Sequence, residues 1–285
     1  MAILAACQPQ EKAWDELESH YATMDSVRVH YKISGQGDTA VIFVHGLGCD
    51  LNTWQAQYEA FAGRKGLRLV LIDLPGFGQS DKPDTNYSLE FFTQAIESVM
   101  ADAGIGRAVL VGHSLGTPIC REFTFAHPDQ VLGLLDIDGV YVLLPADSAM
   151  AEQYKLAMRS FANGFCQEDV KDYFAGFVSS LSGPETPQAV TDYAMSVMPN
   201  TPGFVACSTM GNLVDMRYWT GRQIAVPVSV VCTQNSGLEP DNKQRMQELY
   251  PNLTYTELTT CGHFIHMEQP ETINQAIDAL LNTIQ

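Results

Sequence analysis

The order of apolar and polar positions along this chain predicts a sheet whose strands are separated by helices. Residues 26–34 alternate between apolar and polar side chains, as in a strand with one exposed face. Continuous apolar runs follow, which are typical of strands buried on both faces. The predicted strands after the first cover residues 40–44, 67–72, 108–111, 131–137, 227–232 and 254–258. Amphipathic segments such as 89–103 and 271–284 lie between or after them, so we expect an α/β fold with a mostly parallel central sheet and helices on both faces.

The alternation stops between residues 139 and 222, where helical periodicity continues without a strand. The predicted helices there cover residues 146–163, 168–181, 186–198 and 204–216. An all-helical segment inserted between two strands predicts a cap domain over the sheet. We therefore expect three units: an N-terminal tether or signal remnant at 1–20, a core at 21–138 and 223–285, and a helical cap at 139–222.

The predicted cap is rich in methionine and phenylalanine, which are adaptable apolar side chains. Most of them should pack the cap's own core, and a subset should form the roof of an apolar substrate pocket. The substrate-binding candidates are Met150, Met158, Phe161, Phe174, Phe177, Met195 and Met210.

The composition argues against some classes of binding partner and substrate. A formal net charge of −17 argues against nucleic-acid binding, which needs a basic face, and against a strongly anionic substrate. We find no apolar run near the roughly 20 residues of a membrane-spanning helix. The 285-residue chain is long enough for one large domain with an insertion, and nothing in the sequence sets its oligomeric state.

The seven cysteines are scattered, without metal-site spacing, so we expect neither a metal nor another cofactor. The segment ending at Cys7 matches a bacterial lipobox, although it lacks the usual basic residue and long apolar region. We therefore expect an exported protein, periplasmic or lipid-anchored at Cys7, with a cytoplasmic protein as the alternative. In an exported chain, Cys166 and Cys207 could form a disulfide, although the sequence alone cannot pair them.

The candidate chemistry centres on the pentapeptide Gly112-His113-Ser114-Leu115-Gly116. It follows a predicted strand and precedes a predicted helix, which is the setting of a nucleophile elbow. The turn is so tight that the residues two before and two after the serine must be small, and both are glycine.

Other reactive residues follow predicted strands in the same way. His45, Asp138 and His263 each come after a strand, as does the loop after Cys232. Because ligands bind at the carboxyl ends of parallel strands, we expect these residues to share one site with Ser114.

Four motifs in this order resemble the α/β-hydrolase superfamily, specifically its capped carboxylesterase-like branch. The resemblance implies that Ser114 is the nucleophile and His263 its general base. It also implies an oxyanion hole formed by the backbone N–H groups of Leu47 and Leu115. The motifs are His45-Gly46-Leu47-Gly48, Asp73-Leu74-Pro75-Gly76-Phe77-Gly78-Gln79-Ser80-Asp81, Gly112-His113-Ser114-Leu115-Gly116 and Gly262-His263-Phe264-Ile265-His266-Met267-Glu268-Gln269-Pro270.

The third member of the triad departs from the usual pattern of this family. Ser236 stands where most relatives carry the catalytic aspartate, and the nearest carboxylates, Glu239 and Asp241, come later in the loop. A second placement in the superfamily, after the sixth strand, corresponds to Asp138. We favour Asp138 as the acid, with Asp241 or Glu239 as the alternative. Asp136, inside the same strand, should be hydrogen-bonded because an unpaired buried carboxylate is costly.

These residues predict a serine hydrolase that cleaves a small-to-medium apolar carboxylic ester through an acyl-enzyme intermediate. A carbon–carbon bond hydrolase, a lactonase or a perhydrolase would use the same triad. A ligand receptor without catalytic activity is the alternative from another class.

Overall fold

A computed structural model describes residues 12–139, 144–145, 147–219, 221–234 and 242–284. The strands are β1 Ser19–Met24, β2 Val27–Ser34, β3 Thr39–Val44, β4 Leu67–Ile72, β5 Ala108–His113, β6 Val131–Ile137, β7 Val228–Thr233 and β8 Leu253–Leu258. The α-helices are α1 Gln55–Phe61, α2 Leu89–Asp102, α3 Gly116–Ala126, α4 Ser148–Gly164, α5 Val170–Leu181, α6 Gln188–Val197, α7 Gly203–Leu213, α8 Asn242–Leu249, α9 Ile265–Glu268 and α10 Pro270–Thr283. Short 3-10 helices cover Trp14–Glu16, Leu51–Trp54, Pro128–Gln130, Met198–Asn200 and Met216–Tyr218.

Within the described residues, the strands form one eight-stranded sheet in the order β1-β2-β4-β3-β5-β6-β7-β8. Strand β2 is antiparallel to both of its neighbours, whereas the strands from β4 to β8 in this order run parallel. The parallel register places Val44, Gly112 and Asp136 side by side, so the carboxyl ends of these strands meet at one edge.

Alternate residues of the central strands enter two hydrophobic clusters, because successive strand residues point to opposite faces. In β3, Ile42 belongs to the cluster that contains Phe92 of α2. Its neighbour Phe43 belongs to the cluster that contains Tyr58 of α1 and Ile277 of α10. Helices therefore cover both faces of the sheet, and the predicted α/β class is confirmed.

The segment between β6 and β7 contains α4 to α7, close to the helices predicted from periodicity. Asp147 caps α4 by accepting a hydrogen bond from Met150 N (2.9 Å). The cap-domain boundaries at 139 and 222 stay a prediction.

A disulfide joins Cys166, just after α4, to Cys207 in α7. It therefore connects the first and last α-helices of the insert, the segment between β6 and β7. The two cysteines are 41 positions apart in the sequence. Four other cysteines of the described chain, Cys49, Cys120, Cys232 and Cys261, are free and buried.

The N-terminal tether predicted over 1–20 is wrong in its C-terminal part. Trp14 and Leu17 are buried against the sheet, and β1 begins at Ser19. The tether prediction failed because β1 lacks a long apolar run: it is an edge strand with alternating exposure. Cys7 and the proposed lipid anchor lie outside the described residues.

The described part of the chain contains no helix that is long and apolar enough to cross a membrane. Among the same residues, no group of three or more histidine, cysteine, aspartate or glutamate side chains is arranged to hold a metal ion.

The expectation that Asp136 is hydrogen-bonded is also wrong. Both of its carboxylate oxygens are buried without a hydrogen-bond partner among the described residues, as are the guanidinium nitrogens of Arg121 in α3. Burial raises the pKa of Asp136 to about 7, and the nearby positive charge of Arg121 opposes that shift. The fold therefore favours the neutral carboxylic acid at this position below neutral pH.

Loss of the disulfide should destabilise the protein. Replacing Cys166 and Cys207 together by serine should lower the free energy of unfolding by roughly 2–4 kcal/mol, because the cross-link restricts the unfolded chain. Urea denaturation with and without a thiol reductant measures this. Reductant should weaken the wild type and leave the double variant unaffected, and equal unfolding midpoints for the two proteins would contradict the prediction.

Asp136 should make stability depend on pH in the mildly acidic range. Its folded-state pKa of about 7 lies above its unfolded value of about 3.9, so its contribution is fully present at low pH. That contribution is lost as the pH rises from about 4 to about 7. Relative to Asp136→Asn, wild-type stability should therefore fall across this window. Urea denaturation of both proteins along a pH series tests the prediction, which a constant difference would contradict.

Candidate active site

Ser114 lies on a left-handed turn between β5 and α3. Its φ is 53°, a backbone conformation that non-glycine residues rarely adopt. Ser114 N–H nevertheless donates to the carbonyl of Ile137 (3.0 Å), which continues the ladder between β5 and β6 into the turn. A methyl group on Gly112 would lie 2.7 Å from the Gly116 backbone, so the two small residues predicted for an elbow are required by space.

The loop after β3 lies directly beside the serine. A Cβ atom on Gly46 would lie 3.0 Å from Ser114 Cβ. In the described chain, the N–H groups of Leu47 and Leu115 donate no hydrogen bond to another residue. The role of these two groups as oxyanion donors stays a prediction.

The buried His45 holds this loop. Leu74 N–H donates to His45 Nε2 (3.0 Å), so the proton is on Nδ1, which donates to the Gly46 carbonyl (2.8 Å). Burial lowers the pKa of His45, with the nearby Asp73 charge opposing it, which is consistent with this neutral tautomer.

Asp138 and His263 are in direct contact. His263 Nδ1 donates to Asp138 Oδ2 at 2.6 Å. The other carboxylate oxygen, Oδ1, accepts from Thr233 N (2.8 Å) and from Thr233 Oγ1 (3.2 Å). Asp138 is buried and, like Ser114, has a left-handed backbone with a φ of 40°. This is the arrangement that a triad with Asp138 as the acid requires.

Two further buried histidines surround His263. His113 Nε2 donates to the His263 carbonyl (3.0 Å), and its ring centroid is 4.7 Å from that of His263. Burial, together with the neighbouring His266 and His263, lowers the pKa of His113 well below its usual value. Burial lowers the pKa of His266 to about 3. These two neighbouring imidazoles are therefore neutral, and the carboxylate in contact with the His263 ring is that of Asp138.

The remaining acid candidates, Asp241 and Glu239, lie outside the described residues, as does Ser236. Sequence analysis missed Thr233 and His113, which hold Asp138 and His263 in place. Thr233 is the last residue of β7 and His113 is the last residue of β5. Both could have been identified from the sequence, because polar residues at strand ends face the predicted site.

The predicted pocket residues of the insert occupy different environments. Phe174 and Met210 are buried, and Met158, Phe161 and Phe177 pack partly against the core. Met150 and Met195 are 48% and 40% exposed, so these two lie at the surface rather than under the insert. Which of the seven contact substrate stays a prediction.

Two other residues of the insert lie against the loops of the site. A Cβ atom on Gly48 would lie 3.1 Å from Met198, and one on Gly76 would lie 2.6 Å from Val205 Cγ1. A cavity of about 200 Å³ lies beside this contact, lined by Gly48, Asp50, Phe77, Lys82, Val197 and Thr201 among others.

Comparison with known proteins agrees with the fold. A family model for the alpha/beta hydrolase fold matches residues 39–270. Bifunctional epoxide hydrolase 2 from Sus scrofa is 23% identical over 90% of this chain, but the match spans only 54% of that protein. The 2-hydroxy-6-oxononadienedioate/2-hydroxy-6-oxononatrienedioate hydrolase of Paraburkholderia phymatum is 27% identical over 88% of this chain and 90% of its own length.

Among solved structures, a thermophilic esterase from Thermogutta terrifontis with malate bound superposes with a TM-score of 0.79. It is 22% identical, and the match covers 94% of this chain and 99% of the esterase. At this identity the likeness shows a shared fold. The family match covers most of the chain, and we conclude that the chain belongs to the α/β-hydrolase family.

Proposed function

We propose that this chain is a serine hydrolase that cleaves small-to-medium apolar carboxylic esters through an acyl-enzyme intermediate. The observation that carries the proposal is the 2.6 Å contact between His263 Nδ1 and Asp138 Oδ2. It lies at the end of the strand next to β5, where Ser114 occupies the left-handed turn. The contact fixes the tautomer that leaves His263 Nε2 as a base.

The residues would act in two half-reactions. Ser114 Oγ attacks the ester carbonyl while its proton passes to His263 Nε2, and the N–H groups of Leu47 and Leu115 bind the negative oxygen that forms. The tetrahedral intermediate then collapses, and the alcohol leaves with the proton from His263. A water molecule, deprotonated by the same nitrogen, then attacks the acyl-enzyme. The second tetrahedral intermediate collapses as His263 returns that proton to Ser114 Oγ, which releases the acid and free Ser114. Asp138 stabilises the imidazolium in both halves.

The substrate class follows from charge and from the insert. Met198 places apolar atoms against Gly48, in the loop after β3 that lies beside Ser114, which favours an apolar ester. The net charge of −17 disfavours a dianion, and the Paraburkholderia relative is named for a dianionic dioate. The epoxide hydrolase branch needs aspartate at the elbow, where this chain has Ser114.

A carbon–carbon bond hydrolase is the second candidate, because the Paraburkholderia relative matches nearly its whole length to this chain. Such an enzyme would use the same three side chains. Turnover of a dienoate, a series of esters and a lactone should be measured side by side. The compound that is turned over fastest distinguishes between the candidate functions.

We also propose that the protein works in an oxidising compartment. The Cys166–Cys207 disulfide supports this proposal, because such bonds persist in exported proteins and are rare in the cytosol.

Ser114→Ala should abolish hydrolysis of p-nitrophenyl esters. Removing the nucleophile of a triad typically costs about 10⁶-fold in kcat. A fluorophosphonate probe should label the wild type on Ser114, as read by mass spectrometry, and should leave the variant unlabelled. A receptor without catalytic activity would show neither turnover nor labelling, and that result would refute the proposed function.

Asp138→Asn should lower kcat about 10³–10⁴-fold, because the amide no longer fixes the tautomer of His263 or stabilises its charged form. Asp241→Asn and Glu239→Gln are the matched variants at the alternative positions and should retain kcat. Steady-state kinetics on one ester measures all three. If Asp241→Asn or Glu239→Gln loses activity and Asp138→Asn does not, the acid is assigned to the wrong strand.

A further inference from the structure

Glu268 lies five residues after His263, at the end of α9, and its carboxylate turns back onto the histidine loop. One oxygen, Oε2, accepts from Gly262 N (2.8 Å), and Oε1 accepts from Phe264 N (3.1 Å). These two N–H groups flank His263 on either side. A single carboxylate therefore holds the backbone just before and just after the proposed base.

The same carboxylate is bonded to the inserted helices. Thr186, in the connection between α5 and α6, donates its hydroxyl to Glu268 Oε2 (2.7 Å). Gly183 N–H donates in turn to Thr186 Oγ1 (2.8 Å). His263 N–H donates to the carbonyl of Leu181, the last residue of α5, at 2.8 Å. The α5–α6 connection thus contacts the histidine loop through both a side chain and the main chain.

Two glycines let the main chains approach this closely. A Cβ atom on Gly262 would lie 2.6 Å from Gly183 N and 2.6 Å from Thr186 Oγ1. A Cβ atom on Gly183 would lie 2.9 Å from Gly262 N. Neither position has space for a side chain, so the insert and the histidine loop meet backbone to backbone.

We propose that Glu268 is a positioning residue for His263, and that Thr186 extends this support into the inserted helices. The proposal rests on the proposed function, in which His263 is the base. Asp138 fixes only the Nδ1 side of the imidazole, so the position of Nε2 relative to Ser114 depends on where the backbone of the loop is held. Glu268 does not touch the reacting atoms and acts through that backbone.

The chemistry requires a carboxylate at this position. Three donors, two N–H groups and one hydroxyl, converge on the two oxygens of Glu268. A carboxylate is acceptor-only, whereas glutamine offers one accepting oxygen and places an NH₂ donor against a donor. Thr186 likewise needs its hydroxyl and not its methyl group, because the oxygen both accepts from Gly183 and donates to Glu268.

Glu268→Ala should lower kcat about 100-fold with KM unchanged, the scale of a catalytic group displaced by about 1 Å. Glu268→Gln should fall between the alanine variant and the wild type. Glu271→Gln, an exposed glutamate in the first turn of α10, removes the same charge and should keep wild-type kcat. Steady-state kinetics, with circular dichroism to establish folding, measures these effects.

Thr186 provides the test if the Glu268 variants fail to fold. Thr186→Val keeps the shape, removes the hydroxyl and should lower kcat about tenfold, the scale of one lost hydrogen bond to a charged group. Thr186→Ser keeps the hydroxyl and should restore wild-type kcat. If Thr186 had a purely structural role, Thr186→Val and Thr186→Ser would both have a lower melting temperature, and their kcat values would not differ.

The proton between His263 Nδ1 and Asp138 gives a spectroscopic test of how Glu268 and Thr186 position His263. Its deshielded proton resonance should shift or broaden in Glu268→Ala and Thr186→Val, and should be retained in Thr186→Ser and Glu271→Gln. Wild-type kcat and an unchanged resonance in folded Glu268→Ala and Thr186→Val would overturn the positioning proposal. If the positioning proposal fails in this way but Ser114→Ala is inactive, the proposed function still stands. If Ser114→Ala stays active, the proposed function itself fails.

Discussion

The whole site depends on two residues held in left-handed backbone conformations at the ends of adjacent parallel strands. Ser114 and Asp138 have φ values of 53° and 40°, and such positions cost about 1–3 kcal/mol each for non-glycine residues. The sheet itself holds them there. Ser114 N–H donates to Ile137 O, and Asp138 N–H donates to Val231 O at 2.8 Å, so the ladder continues past the end of each strand. The proposed nucleophile and acid are thereby fixed to the central sheet.

The proposed base is held differently, because β8 does not carry it on its own ladder. His263 follows a loop after β8, and its main chain is bonded to groups from other parts of the chain. His113 Nε2 donates to its carbonyl, and its N–H donates to Leu181 O. The imidazole can rotate only as far as this loop and the Asp138 contact permit. The inserted helices therefore contact the main chain of the proposed base, through the Leu181 carbonyl at the end of α5.

Local pattern was enough to predict the features that depend on sequence neighbours. The elbow around Ser114 and the helices of the insert were predicted because glycine spacing and helical periodicity are local signals. Two other environments depend on which elements pack together. Asp136 lacks a hydrogen-bond partner among the described residues, and Met150 is exposed. The disulfide could not be paired from sequence for the same reason: Cys207 meets Cys166 only after α4 and α7 are packed. Edge strand β1 was missed because half of its residues face solvent.

The proposed acid, Asp138, follows a different strand from the one that carries the acid in most relatives. Most relatives carry the acid after the strand corresponding to β7, where this chain has a serine at position 236. Here the last residue of β7, Thr233, points its N–H and hydroxyl at Asp138 Oδ1. These donors orient the carboxylate, which leaves Oδ2 for His263. The end of β7 would thus support the proposed acid, which follows directly after β6.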